Sequence, residues 1–345
     1  RPMHVESVAD LFETDENLPA IRSLVVIPIV NNGNRAGTLV MFSTVEYGFE
    51  SDDVRLLTAL ADTVGVGLDQ ARLMEAAIEK ERLQKEFDVA RNIQASLLPR
   101  KPPPTACCDV DAVTIPATQV GGDYFDYVRF ANGRLGAIIA DVSGKGIPAA
   151  LYMATLKGTV LAEMRSAEGP ADLLSRINTT LYGSMERHTY ITMLCIEFNE
   201  QTHTLRLARA GHTPAILRIG GELRYVAPPG VANGIQAPDT CNSIIGEEAI
   251  DVAPGDICLL TTDGVTERRD MNLSEIGIER IGELLLEMQS PSAGDLVRAT
   301  VKLLDAHGGQ MDQHDDITIV GVMFSDDCET LPDSPRMNDI DGAIV

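Results

Sequence analysis

Four acidic positions stand out by where they fall in the chain. Asp123 lies in Val120-Gly121-Gly122-Asp123-Tyr124-Phe125-Asp126. Asp141 follows the apolar run Gly136–Ala140 and opens Asp141-Val142-Ser143-Gly144-Lys145-Gly146. Asp263 follows Ile257–Thr262 and opens Asp263-Gly264-Val265-Thr266-Glu267. Asp315, with Asp316, directly precedes the apolar segment Ile317–Val320. A carboxylate set against a run such as Ile138-Ile139-Ala140 is held at the edge of a core, where an unpaired charge is costly. Few Lys or Arg residues lie near these turns. Several carboxylates converging without basic partners point to a divalent cation. All-oxygen ligation favours Mg²⁺ or Mn²⁺ over zinc. A single Asp-Gly pair reads simply as a turn; four such positions, each beside a strand, read as a site.

The elements that must position these residues follow from hydrophobic periodicity. Strands are expected at Asp109–Ile115, Leu135–Val142, Thr189–Asn199, Thr204–Ala210, Ala215–Arg218, Asp256–Thr262 and Ile317–Phe324. Helices are expected at Ile147–Arg165, Ala171–Met185, Glu275–Met288 and Ala293–Ala306. Strands come in groups with paired helices between them. That favours antiparallel sheets flanked by helices, an α+β class, over a doubly wound fold.

Upstream, Ile21–Val30 and Ala36–Phe42 read as a hairpin about the turn Asn31-Asn32-Gly33-Asn34, and Ser51 is placed to cap the helix that follows. From Asp52 to Leu98 there is no Pro. Leu56, Leu57, Leu60, Ala61, Val64, Leu68 and Ala71 recur at helical spacing, as do Leu83, Phe87, Ala90, Gln94 and Leu97. A helix of about 45 residues spans ~67 Å. Its stripe changes phase and turns charged between Ala71 and Leu83. This fits either a solvated linker or a parallel dimer helix that transmits a signal; the second is the expectation. Pro99 ends it, and Lys101-Pro102-Pro103-Pro104 marks a boundary. The acidic tail 326–345 is expected to be disordered.

Bulk properties remove other classes. The chain has 345 residues, 44% of them hydrophobic, and a net charge of −23 from 51 acidic and 28 basic residues. So acidic a chain is a poor candidate for unaided nucleic-acid binding, which needs clustered Lys and Arg. The six cysteines show no CxxC spacing, and scattered thiols in a chain of this length fit a reducing cytoplasm. No apolar run reaches the roughly 18 residues that span a bilayer. The chain begins with Arg1 and enters mid-pattern, as a fragment of a longer protein would.

Six segments, in order, resemble the PPM family of metal-dependent protein phosphatases in its SpoIIE/RsbU-like bacterial branch. They are Ile93-Gln94-Ala95-Ser96-Leu97-Leu98-Pro99, the Gly121–Asp126 segment, Asp141–Gly146 with Pro148-Ala149-Ala150, Ala210-Gly211-His212-Thr213-Pro214, Thr262–Glu267 and Asp315-Asp316-Ile317-Thr318. The resemblance covers about residues 88–325. Residues 21–75 resemble the C-terminal half of a GAF domain, through Arg35-Ala36-Gly37-Thr38-Leu39, Phe49 and the Leu56–Ala71 helix. The organisation expected is a partial GAF-like sensor domain at 1–75, a linker helix and Pro-rich boundary at 76–104, a phosphatase domain at 105–325 and the tail.

The resemblance implies a PP2C-like β-sandwich between two helical layers, with two Mn²⁺ or Mg²⁺ ions at one end. Carried over by position, Asp141 would bridge both ions with help from the Val142 carbonyl, Asp263 and Asp315 would hold one ion, and Asp123 would serve the other, directly or through water. It also implies a phosphoserine/phosphothreonine protein phosphatase whose substrate is a small STAS-type anti-anti-sigma protein. The expected assembly is a cytoplasmic homodimer joined through the linker helix, with no nucleic acid and no membrane contact in this fragment. Ser143 stands where eukaryotic members carry a His, and no Arg clamp for phosphate is evident, so the general acid stays open. Lys145 fits either a phosphate contact or an ordinary surface lysine. His212 reads as structural rather than catalytic, and Asp316 and Glu267 as neighbours supporting the ligands. The rival readings are an inactive PPM-like scaffold and a small-molecule phosphatase. The GAF ligand cannot be assigned.

Overall fold

The computed structural model describes residues 3–5, 21–31, 34–105, 107–186 and 188–325. The expected tail, and the centre of the Asn31–Asn34 turn, lie outside them. The chain divides into two compact units, Arg1–Glu86 and Phe87–Val345.

In the first unit, β1 (Met3–Val5), β2 (Ser23–Asn31) and β3 (Asn34–Ser43) form an antiparallel sheet in that order. Val25, Ile27 and Ile29 alternate along β2 and bury one face of the sheet. Ala61, Val54 and Leu57, from the start of helix α1 (Ser51–Leu97), pack on that face with Phe49 and Leu39. Ser51 is not the cap that the sequence suggests. It already lies in the first turn, and the Asp53 carboxylate accepts the Glu50 N–H at 2.9 Å instead. Ala61 and Gly65 are the buried residues of α1; Leu56, Leu68, Leu83, Val89 and Ile93 are exposed.

The second unit begins at Phe87, so the last turns of the helix assigned to the linker pack with it. Leu97 and Leu98 lie against its core, which corrects the expectation that Leu97 belongs to a pairing stripe. Its remaining elements are β4 (Cys108–Ile115), β5 (Tyr124–Arg129), β6 (Leu135–Val142), α2 (Ile147–Glu163), α3 (Pro170–Leu181), β7 (Ile191–Asn199), β8 (Thr204–Ala210), β9 (Ala215–Ile219), β10 (Glu222–Val226), α4 (Pro238–Ile244), β11 (Glu247–Asp251), β12 (Ile257–Thr261), α5 (Asp263–Thr266), α6 (Gly277–Glu287), α7 (Ala293–Gly308) and β13 (Ile317–Phe324).

They form two antiparallel five-stranded sheets, ordered β10-β9-β12-β13-β4 and β11-β8-β7-β6-β5. The apolar runs are explained by burial on both faces. Along β6, Ala137 and Ile139 point between the sheets toward Leu260 and Val320, while Ile138, Ala140 and Val142 face Met153 and Leu156 of α2 and Leu173 and Ile177 of α3. Along β12, Cys258 and Leu260 point inward, and Ile257 and Leu259 face α6 and α7 through Ile281, Leu285 and Leu296. The result is a sandwich between two helical layers, as expected. Each large side chain so buried contributes roughly 1.5–3 kcal/mol.

Candidate metal centre

The strands deliver the acidic residues to one end of the sandwich. Asp141 is the penultimate residue of β6 and pairs with Thr192 of β7. Asp263 follows Thr262 at the end of β12 and opens the single turn α5. Asp315 and Asp316 lead into β13, and Asp123 leads into β5. The loops interlock at distances only glycine permits. A Cβ at Gly264 would stand 1.9 Å from the Asp316 carbonyl oxygen, one at Gly121 2.3 Å from Asp316 Oδ2, and one at Gly122 2.8 Å from the Val142 carbonyl oxygen. That carbonyl therefore faces the Gly121–Asp123 turn.

Asp123 is 3% exposed. Its Oδ2 accepts hydrogen bonds from the Thr262 hydroxyl at 2.8 Å and the Thr318 hydroxyl at 2.6 Å. Burial, and then the charge of Asp141, hold its carboxyl well above the usual range despite those donors. Asp141 is pushed up to about 7, first by burial, then by repulsion from Asp263, Asp315 and Asp316; a hydrogen bond from Asp123 pulls the other way. Asp263 is raised by burial and by Asp315, against its own and the Gly264 backbone N–H groups and the Lys145 charge. Glu267 is raised by burial and by Asp263.

One cation does reach the cluster, a qualification of the sequence reading. The Lys145 ammonium lies 2.9 Å from Asp315 Oδ2 and donates to the His314 carbonyl at 2.6 Å. It comes from a loop whose glycines on either side, Gly144 and Gly146, take φ of 97° and 74°. Ser143 is engaged elsewhere: its N–H donates to the Tyr190 carbonyl, and its hydroxyl accepts the Tyr190 N–H, both at 2.9 Å.

Several supporting contacts carry no sequence signal. Asp316 accepts the Ala117 N–H at 2.8 Å and the Gly122 N–H at 2.7 Å, so it braces the Asp123 turn from across the sandwich. The Gln94 side chain, near the end of α1, makes a two-point contact with the same turn: Nε2 donates to the Gly121 carbonyl at 2.7 Å, and Oε1 accepts the Gly121 N–H at 3.0 Å. Arg268 donates to the Met311 and Asp312 carbonyls at 2.8 and 3.0 Å and so holds the loop before Asp315. Gln94 lay within a recognised segment, but only the folded turn shows what it grips.

The donor set suits a divalent cation. Every candidate side-chain ligand is a carboxylate, burial and then repulsion from its acidic neighbours push Asp141 up to about 7, and an ammonium already sits on Asp315. Among the described residues, no three such side chains already stand close enough to enclose an ion. The carboxylates are gathered at one end of the sandwich.

The fold defines a class, that of the PP2C-like phosphatase domains. The chain belongs to the stage II sporulation protein E (SpoIIE) family, whose model matches residues 131–325, and residues 1–69 match the GAF domain. It is 29% identical over 246 residues to the phosphoserine phosphatase RsbU of Bacillus subtilis, covering 70% of each chain. Two further relatives are matched over less than half of their own length. The fold is similar to the SiaA-PP2C domain of Pseudomonas aeruginosa, with a TM-score of 0.63 and 22% identity over 72% of this chain and 100% of that one. It is also similar to the RsbU and RsbW domains of a Mycobacterium tuberculosis protein, with a TM-score of 0.56 and 23% identity over 65% of this chain and 61% of that one.

Proposed function

We propose that this chain hydrolyses phosphoserine or phosphothreonine on a regulatory protein with the help of two Mn²⁺ or Mg²⁺ ions held by Asp123, Asp141, the Val142 carbonyl, Asp263 and Asp315. The observation that carries the reading is the convergence of these carboxylates, with Asp141 pushed up to about 7, at loops from both sheets. Asp141 lies beside the other acids and would be the ligand shared by both ions; Asp263 and Asp315 would hold one of them and Asp123 the other. When bound, such ions lower the pKa of water and neutralise phosphate charge.

The chain's own groups prepare that chemistry. Thr262 and Thr318 aim Asp123 through hydrogen bonds to one of its oxygens, Oδ2. Asp141 must shed a proton as a cation arrives. Lys145 balances Asp315 until then and is free afterwards to meet an anionic substrate. Among the free cysteines, Cys195, Cys241 and Cys258 are buried, and none has a lowered pKa, so a thiolate nucleophile has no support.

The substrate we favour is a small phosphorylated STAS-type protein, in a cytoplasmic partner-switching system. The relative RsbU is described as a phosphoserine phosphatase, which supports the phosphoprotein reading over the scaffold alternative. Among the described residues no helix is long and apolar enough to cross a membrane. The exposed apolar side chains of α1, Leu83 among them, support pairing with a second copy. Phosphate release from a phosphorylated STAS protein, free phosphoserine and a nucleotide, compared at equal Mn²⁺, tests the assignment. Preference for the free amino acid or the nucleotide would replace it with a small-molecule phosphatase.

A further inference from the structure

His212 belongs to a segment the sequence singles out, and the proposed reaction leaves it unused. Gly211 before it takes a φ of 70°, and a Cβ there would stand 2.7 Å from the Ala232 nitrogen. This left-handed turn lets the chain leave β8 in one sheet and cross to β9 in the other. His212 begins the crossing and is 4% exposed. Its Nδ1 lies 2.8 Å from the Thr192 hydroxyl, and Thr192 is the residue of β7 paired with Asp141. The next residue, Thr213, donates from its hydroxyl to the Thr261 carbonyl. Thr261 ends β12 and is followed by Thr262, which holds Asp123, and by Asp263.

One turn therefore grips both carboxylate-bearing sheets through successive residues. Arg209 fixes the turn itself, donating to the His212 carbonyl at 2.8 Å and to the Pro228 carbonyl at 2.9 Å. Burial pushes the imidazole down to about 3, against the pull of the Thr261 carbonyl, so the ring is neutral and adds no charge that would repel a cation. The contact of Nδ1 with the Thr192 hydroxyl is the ring's side-chain tie.

We propose that His212 is a positioning residue for the carboxylate centre: with Thr192 it sets the spacing between the strand pair that carries Asp141 and the strand that leads to Asp263. The proposal rests on the reading of that centre as a divalent-cation site. Groups that orient ligands without touching the ion commonly change affinity by 10- to 100-fold when removed. His212 acts at that remove, through a strand rather than on a ligand.

The test is calorimetric titration of Mn²⁺ into the full chain, with metal-free thermal unfolding measured alongside. Thr192→Val keeps the side-chain shape and deletes the hydroxyl. His212→Leu deletes both ring nitrogens, while His212→Asn keeps a polar atom near the place of Nδ1. Mn²⁺ affinity should fall about tenfold in Thr192→Val and in His212→Leu. It should fall no further when the two are combined, and stay within about twofold in His212→Asn, as one shared contact requires. Asp141→Asn serves as the control and should lose most binding. If Asp141→Asn loses binding while Thr192→Val and His212→Leu bind like the wild type, the cation site stands and this role for His212 is wrong. His212→Asn as weak as His212→Leu would overturn it too, as would losses that simply track the metal-free unfolding midpoint. A wild-type chain that binds no Mn²⁺ overturns the site reading and this inference with it. Should His212→Leu not fold, Thr192→Val decides.

Discussion

Replacing Asp141 with Asn should make the metal-free protein more stable and the enzyme inactive. Burial and three neighbouring carboxylates raise Asp141 from 3.8 to about 7. Three units at about 1.4 kcal/mol each set a ceiling of ~4 kcal/mol on the cost of its charge in the metal-free fold. Asp141 is only partly shielded from water, so about 2 kcal/mol is the working figure. For a domain of this size, that corresponds to several degrees in unfolding midpoint. The sign follows from the direction of the shift. A raised carboxyl costs nothing below its unfolded pKa, and the cost grows as pH rises through about 7. The stability gap between variant and wild type should therefore be absent near pH 4 and open by pH 8. Thermal unfolding in chelator across that range measures it. With Mn²⁺ present, turnover of a phosphoprotein should fall by at least ~10², a multi-kcal/mol change in barrier. A variant less stable than wild type at pH 8 without metal, or one with near-normal Mn²⁺-dependent turnover, refutes the reasoning.

Mn²⁺ affinity should weaken as pH falls below about 7, because Asp141 must release a proton to bind; calorimetry in two buffers of different ionisation enthalpy should count that proton, and an affinity constant from pH 7.5 to 5.5 would contradict it. Alkylating accessible thiols should spare activity and a chelator should abolish it, since burial pushes Cys108 up to about 11 and Cys258 up to about 12; the reverse pattern would indicate cysteine chemistry. Inserting two residues near Lys80 turns the helix beyond by ~200° and should change phosphatase activity. A chain that sediments as a monomer at tens of micromolar, and is indifferent to the insertion, would reduce α1 to a tether.

Much of the architecture was legible because burial on both faces writes long apolar runs. Leu135–Val142, Thr204–Ala210 and Ile317–Phe324 were placed at their observed limits, and α2 and α7 within two residues. The strand Tyr124–Arg129 does not show in the sequence because Asp126 stands between Tyr124 and Val128 on the face toward the helices, and the buried acid hides the pattern. Tyr124 and Lys157 both donate to that acid. The short elements α4, β10 and β11 were missed for want of length. At the site, the acids were visible through their position beside apolar runs. Their supports were not. The Asp316 bonds to Ala117 and Gly122 span almost 200 residues of chain, and no local spacing encodes such a pairing. Nor does one mark Arg268, whose pattern is that of any charged loop residue, or the Gln94 grip on Gly121, since helical periodicity shows a face but not what that face meets.

The central claim is that these carboxylates serve a metal-dependent phosphoprotein phosphatase. Its most direct test is phosphate release from a serine-phosphorylated STAS protein by the purified chain, with and without Mn²⁺. Release should need Mn²⁺, stop on chelation, and return when the metal is restored. Release at the same rate in chelator, or none under any metal condition while Mn²⁺ still binds, would contradict it.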